Sequence, residues 1–263
     1  MWILRPSTDF KSRSSFCYHS NFVWKDENLP IYIMDNHLSA AWCWMQECQA
    51  VCHYNFFHID RHHDLSAIGD VDVLDGLRGE KVEYNEYKNL MYDNRGQWLL
   101  FRWDNYIRNA HYLYPNWFHT NLFYIQQWPT DDPLGSRFPE FSPQMRDPLL
   151  IRQELTQYVE EPSPYLADGF LESNVWQYKW ILNIDLDFIW DENHVRIFAD
   201  EFIADLGQRI KNAMSNIQVV TIALSPECVG GKTLEEQWDN SLKVLKLLTD
   251  ALGIEFFIES VYK

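Results

Sequence analysis

The chain has 263 residues, with 22 basic and 38 acidic side chains and a formal net charge of −16. A surface that acidic repels phosphate backbones, which argues against nucleic acid as a partner and suits cationic substrates and bound metal ions. Apolar residues make up 46% and charged residues 23%, a globular balance that excludes a disordered chain.

One α/β domain spanning residues 1–263 is expected at this length. The 12 Trp, 14 Tyr and 16 Phe exceed what a core usually demands, so some are expected to line a binding surface. No run approaches the roughly 20 apolar residues of a bilayer span, and no membrane association is expected. The start, MWILRPSTDF, fits neither a signal peptide nor a transit peptide, because Arg5 and Pro6 directly follow a short apolar stretch. Cys17, Cys43, Cys48, Cys52 and Cys228 are odd in number and lack small-domain spacing, so a reducing, cytoplasmic location is expected. Cys48 and Cys52, one helical turn apart, are read as packed thiols. An oligomer leaves no signature in the pattern.

In chain order, the first buried strand is Ile31–Met34, which runs into Asp35, Asn36 and His37. A helical pattern rich in Ala, Trp and Met follows over Leu38–Val51. The strand Asn55–Ile59 leads into the densest polar cluster of the chain, from His58 through Asp60, Arg61, His62 and His63 to Asp64. Trp103, Tyr106, Tyr112, Tyr114, Trp117 and Phe118 crowd ahead of a third strand, Asn121–Gln126; they read as a peptide-gripping surface or as core filler. Pro129–Pro148 holds five of the eleven prolines and reads as a loop or excursion, either a lid or a passive insertion. Helical spacing resumes over Pro148–Glu161. The strand Trp180–Ile184 runs into Asp185 and Asp187, and a helix is expected over Val195–Met214. The strand Gln218–Leu224 leads into Ser225, Pro226, Glu227 and Cys228. Thr233 and Glu236 make a capping box that starts a helix reaching Leu252, and Ile254–Ile258 reads as a last strand. Strands and helices alternate, which predicts a three-layer α-β-α fold around a mainly parallel sheet.

Asp60, His62 and Asp64 alternate, as do Asp185 and Asp187, and alternate side chains of an extended chain point the same way. Each polar cluster follows a strand, and the carboxyl edge of a parallel sheet is where ligands bind. One site made of His37, Asp60, His62, Asp64, Asp185, Asp187 and Glu227 is therefore predicted. No Lys or Arg occurs between Trp180 and Asn193, so a cation from outside the sequence is the expected partner of the carboxylates there. Hard oxygen donors with two imidazoles and no thiolate favour Mn²⁺ or Fe²⁺ over a structural zinc site. The set is too large for one ion and suits two, roughly 3.5 Å apart.

These motifs resemble the signature of the arginase and agmatinase (ureohydrolase) superfamily, whose fold is shared with histone deacetylases. The strings MDNHLSAAW, FHIDRHHDL, ILNIDLDF and LSPECVGG look similar to a divergent branch, the peptide arginases of bacterial ribosomal-peptide maturation. The resemblance implies an arginase/deacetylase-like fold, two Mn²⁺ ions (Fe²⁺ or Co²⁺ as substitutes) and an arginine-containing precursor peptide as substrate. It implies His37, Asp60, Asp64 and Asp185 on one metal and His62, Asp60, Asp185 and Asp187 on the other, with Asp60 and Asp185 bridging. Asp64 would also pass a proton to the leaving amine, and Glu227 would hold the guanidinium. The products would be urea and an ornithine side chain.

Departures from the ordinary pattern bear on the substrate. Met34-Asp35-Asn36-His37 replaces the usual Gly-Gly-Asp-His, which leaves Asp35 as an alternative ligand to His37. The Asp-x-Asp-x-x-Asp-Pro ending is absent after Asp187. No Ser-Gly-Asn-Leu-His-Gly loop follows Asp64; in free-arginine enzymes that loop reads the amino-acid end and carries a proton-shuttle His. Its absence favours a peptide over free arginine and leaves His63, His111 and His119 as shuttle candidates. A hydrolase of free arginine or another small guanidine is the alternative. A metal-dependent deacylase is disfavoured by the second imidazole, His62. A phosphoesterase is disfavoured because Gly69-Asp70 falls too close to His62 and the Asn-His pairs, Asn36-His37 and Asn193-His194, fit its order poorly.

Overall fold

The computed structural model describes residues 1–6, 19–92, 98–125 and 178–258. In chain order its elements are β1 (Trp2–Leu4), β2 (Val23–Lys25), β3 (Ile31–Met34), α1 (Ala40–Glu47), β4 (Asn55–Asp60), α2 (Val71–Leu77), α3 (Tyr84–Tyr87), α4 (Tyr106–Leu113), β5 (Asn121–Ile125), β6 (Trp180–Asp185), α5 (Asp200–Asn212), β7 (Ile217–Ala223) and α6 (Leu234–Leu252). The strands form one seven-stranded sheet in the order β1-β2-β3-β7-β6-β4-β5. The five from β3 to β5 run parallel, and β1 and β2 extend the edge antiparallel.

Helices cover both faces, which is why the central strands read as continuous apolar runs. On one face Phe57, Ile59, Leu182, Ile184, Val220 and Ile222 pack with Ile203 and Leu206 of α5 and Val244 and Leu248 of α6. On the other, Phe56, Ile181 and Val219 pack with Trp44 of α1 and Tyr106 and Ile107 of α4. This is the expected three-layer α-β-α arrangement around a mainly parallel sheet.

The helix boundaries have local causes. Thr233 caps α6 by accepting from the Glu236 N–H at 3.2 Å, while Glu236 reaches back to the Lys232 N–H at 2.7 Å. Gly253, at φ 78°, closes the helix in a left-handed conformation that glycine adopts freely. Helix α5 carries Asp200 and Glu201 in its first turn and Arg209 and Lys211 in its last, complementing the helix dipole. It packs so closely on α6 that a Cβ at Gly207 would lie 2.7 Å from Ala251 Cβ.

Several expectations need correction. No strand forms over Ile254–Ile258; Ile254 and Phe256 turn inward, with Phe256 against Trp2, Phe22 and Trp24, but no neighbouring strand meets their backbone. Burial alternates there without the hydrogen-bond partner a strand needs. Helix α1 ends at Glu47 rather than Val51, because Cys48 is extended (φ −101°, ψ 141°), so Cys48 and Cys52 do not share a helix. Helix α5 begins at Asp200 rather than Val195: Arg196 pairs as an isolated bridge with Trp190, and the Ile197 N–H donates to the Ile189 carbonyl at 2.9 Å. Strands β1 and β2 and helices α2, α3 and α4 are too short for the pattern to announce. The proline-rich stretch Pro129–Pro148 and the helix expected over Pro148–Glu161 lie outside the described residues. No described helix is long and apolar enough to cross a membrane.

Candidate functional site

Three strands share a sequence pattern that builds the floor of the site. Phe57-His58-Ile59-Asp60 in β4, Leu182-Asn183-Ile184-Asp185 in β6 and Val220-Thr221-Ile222-Ala223 in β7 alternate apolar residues with polar or small ones. Register sets His58 opposite Asn183 and Asn183 opposite Thr221. Because side chains alternate faces, this polar row points with Asp60 and Asp185 into the α1/α4 layer. A buried polar row is costly unless satisfied, and here every side-chain polar atom but His58 Nε2 has a partner. Trp44 Nε1–H donates to Thr221 Oγ1 (3.1 Å), and the Thr221 hydroxyl donates to Asn183 Oδ1 (2.7 Å). Asn183 Nδ2–H₂ donates to His58 Nδ1 and to the Tyr106 hydroxyl, both at 2.8 Å.

The carboxylates sit one rung above that floor. His37, in a short 3₁₀ turn that Asn36 caps after β3, has Nδ1 2.8 Å from Asp64 Oδ2 and 3.5 Å from Asp60 Oδ2. Its Nε2 lies 3.1 Å from Asp185 Oδ2. His62 Nδ1 lies 3.0 Å from Asp187 Oδ2 and 3.7 Å from Asp60 Oδ1. His58 Nε2 approaches Asp60 Oδ2 to 3.4 Å. Asp185 accepts from the Asp187 N–H at 3.0 Å and the Ser225 hydroxyl at 2.7 Å. Asp64 (φ 53°) and Ser225 (φ 40°) are held in the left-handed region, which costs about 1–3 kcal/mol each and marks functional positions.

Electrostatics follow from packing four carboxylates into a dry place. Burial, then Asp64, Asp187 and Asp185, pushes the Asp60 carboxyl well above the usual range. Burial and Asp187 push Asp185 up to about 7. Burial opposes a charge on His37, but Asp185, Asp64 and Asp187 overcome it and hold the imidazole at about 9. Burial keeps His58 neutral, down at about 3. With Asn183 donating to Nδ1, the neutral His58 ring carries its proton on Nε2, toward Asp60.

The donor set fits a bound cation. His37 Nε2, Asp60 Oδ2 and Asp187 Oδ2 are buried and make no hydrogen bond among the described residues. Such atoms are expensive to bury unless a cation meets them. Three groups have candidate ligand atoms within 4.8 Å of one another: His37, Asp60 and Asp185; His62, Asp187 and Cys228; and His58, Asp60 and Asp64, the last with both His58 nitrogens already occupied by a proton and by Asn183. A small cavity of about 30 Å³ opens above them, lined by His37, His62, Asp64, Asp185, Asp187 and Glu227, with Trp103 at its wall.

No protein-family model and no curated protein matches the chain. Among solved structures it is similar to the arginase of Entamoeba histolytica in complex with L-ornithine, at 12% identity and a TM-score of 0.44, covering 84% of this chain and 69% of that one. It is similar to Helicobacter pylori arginase at 13% identity and a TM-score of 0.43, covering 82% and 71%. A third is proclavaminate amidino hydrolase of Streptomyces clavuligerus, at 10% identity and a TM-score of 0.42, covering 84% and 63%. Likenesses this distant say nothing about substrate, and the chemistry has to come from the site's own atoms.

All seven residues expected at one site meet there. Asp35, the alternative to His37, also borders the cavity, but its carboxylate is taken up: it accepts from the Asn21 backbone (2.9 Å), Asn21 Nδ2 (2.7 Å) and the Phe22 N–H (3.0 Å), tying down the approach to β2. The view that no internal cation serves Asp187 is corrected by Arg61. That guanidinium, contributed by the loop after β4, is buried 3.6 Å from Asp187 Oδ2; it also donates to the Asp191 carbonyl (3.0 Å) and approaches His62 Nε2 (3.4 Å). One guanidinium still faces four carboxylates. Of the crowded aromatics only Trp103 lines the cleft; Tyr106, Tyr114, Trp117 and Phe118 are core, and Tyr112 lies over Arg78. His119 precedes β5, at the opposite edge of the sheet, and His111 meets Phe118 edge-on. His63 accepts from the Leu65 N–H at 3.0 Å and does not line the cleft. Gly69 and Asp70 serve structure, the first donating to Asn109 and the second capping α2.

His58, Asn183, Thr221, Tyr106, Ser225 and Cys228 also belong to the site, although the sequence reading did not assign them to it. The repeated polar-Ile-Asp pattern of β4 and β6 is a signal that singles out His58 and Asn183. Tyr106 and Cys228 have no local signal, since only folding brings them to the strand ends.

Proposed function

We propose that this chain is a divalent-metal-dependent hydrolase of the guanidinium group of arginine side chains within a precursor peptide. The observation that carries the reading is the convergence of four buried carboxylates with His37 and His62, several with an unsatisfied atom, on one cleft that Glu227 also lines. His37, Asp60, Asp64 and Asp185 would hold one cation and His62, Asp60, Asp185 and Asp187 the other. Bound there, divalent metals supply Lewis-acid polarisation and activate water at neutral pH. The oxygen-rich set around His37 suits Mn²⁺, with Fe²⁺ or Co²⁺ as substitutes.

The chain's own groups do the rest. Glu227 accepts two N–H bonds from the planar guanidinium, fixing its carbon over the carboxylate cluster. Trp103 offers a flat apolar wall against which a guanidinium face packs. Water adds to the guanidinium carbon, and the C–N bond to the side chain breaks. Asp64, held by His37, relays the two protons of the attacking water in turn to the departing nitrogen, which leaves as ornithine's ammonium beside neutral urea. The missing loop after Asp64 leaves room for a peptide backbone where free-arginine enzymes read the amino-acid end. The same reading assigns a cytoplasmic location and no nucleic-acid or membrane partner.

Mass spectrometry of an arginine-containing peptide and of free L-arginine, each with the chain and Mn²⁺, tests the reading. Loss of CN₂H₂, about 42 Da per arginine, from the peptide and its suppression by EDTA are expected. Loss from free arginine alone overturns the peptide assignment, and loss from neither overturns the reaction.

A further inference from the structure

We infer that Cys228 is a metal ligand, adding a thiolate beside His62 and Asp187 so that this position prefers a borderline-soft divalent cation such as Zn²⁺, Fe²⁺ or Co²⁺. This rests on the reading of the cluster as a metal centre and refines what it binds. Cys228 Sγ, His62 Nδ1 and Asp187 Oδ2 lie within 4.8 Å of one another. The second observation is Asp187 Oδ2: it is wholly buried, with His62 Nδ1 at 3.0 Å and the Arg61 guanidinium at 3.6 Å, and makes no hydrogen bond among the described residues. With Cys228 Sγ beside them, this imidazole nitrogen and carboxylate oxygen make a compact donor set that one cation can meet. The left-handed Ser225 and Pro226 start the tight turn that carries Glu227 and Cys228 to the same cleft.

The chemistry separates the two metal positions. The group around His37 offers one imidazole and carboxylates only, a set for hard cations. A thiolate and an imidazole beside the carboxylates supply the softer donors that zinc takes in protein sites. Ligation takes the thiol proton off sulfur and releases it to solvent as the S–metal bond forms. The site is then unsymmetrical, and its His62 half prefers Zn²⁺ over Mn²⁺.

The test uses the full chain, stripped with chelator and reloaded with Co²⁺, Zn²⁺ or Mn²⁺ singly. Co²⁺ is expected to give a near-ultraviolet sulfur-to-cobalt charge-transfer band that Cys228→Ser abolishes. Zn²⁺ at about ten times its Kd should slow alkylation of Cys228, followed by peptide mass spectrometry, about tenfold, whereas Mn²⁺ at equal concentration should protect it far less. Bound Co²⁺ without the band, a band that survives in Cys228→Ser, or a thiol that alkylates at the same rate with Zn²⁺ overturns the inference while leaving the metal centre intact. If the wild-type chain binds no cation by elemental analysis, the metal-centre reading falls with it. Should Cys228→Ser fail to fold, the wild-type band and the alkylation protection decide the matter.

Discussion

Asn183→Ala removes the middle of the polar row beneath the carboxylates, and its cost can be worked from the bonds it breaks. Asn183 is buried and makes three side-chain hydrogen bonds: to His58 Nδ1, to the Tyr106 hydroxyl and from the Thr221 hydroxyl. In the variant, His58 Nδ1 and the Thr221 proton lose the partner that satisfies them. At about 1–3 kcal/mol for each buried polar group left unsatisfied, a stability loss of about 2–6 kcal/mol is expected. Urea unfolding of the chelator-treated chain reads it as a fall in midpoint with unchanged slope. Thr221→Val supplies the control. Alone it breaks the same bond, but in the Asn183→Ala background that bond is already gone, so the two losses are sub-additive by about 0.5–3 kcal/mol. Metal affinity should also fall, by about 10–100-fold, because His58 and Tyr106 no longer brace Asp60 and His37. A loss below about 1 kcal/mol with fully additive variants would refute the claim that the row is a connected, satisfied network.

Three further outcomes test the site. Asp60→Asn or Asp185→Asn keeps the shape but removes a charge from the centre of the cluster, so metal content and turnover should both collapse; full metal occupancy by elemental analysis with normal activity in either variant contradicts its role as a bridging ligand. Glu227→Gln should keep its metals yet bind the arginine substrate poorly, and unchanged kcat/KM would remove Glu227 as the guanidinium anchor. Metal affinity should rise with pH: His37, held at about 9, carries a proton at neutral pH and Asp185, pushed up to about 7, carries one part of the time, and ligation must displace them. Calorimetry in buffers of different ionisation heat should then detect proton release, and affinity that is flat between about pH 6 and 9 speaks against these groups as ligands.

Much of the frame was legible because its causes are local. β3 was readable residue for residue, β4, β5 and β6 to within one residue at one end, and β7 to within one residue at both ends, since a strand covered on both faces has to be a continuous apolar run. The capping box at Thr233 announced α6 for a similarly local reason, the unsatisfied N–H groups of a helix start. The same logic failed at Ile254–Ile258, where inward-facing residues found a core but no strand edge, and at β1 and β2, which are too short to show a period.

The ligand types and their place at strand ends were decided by sequence alone, because two-residue alternation fixes which side chains point together along a single strand. What lies across strands needed the tertiary structure. Only sheet register sets His58, Asn183 and Thr221 in one row, and only helix packing brings Tyr106 and Trp44 onto it. Asp35 and His37 are two residues apart and chemically plausible alike; the chain's path hands Asp35 to the Asn21 and Phe22 backbone and His37 to the carboxylates. Arg61 reaches Asp187, and Cys228 reaches His62, across separations that no local pattern encodes, since such contacts depend on where whole strands and loops come to rest.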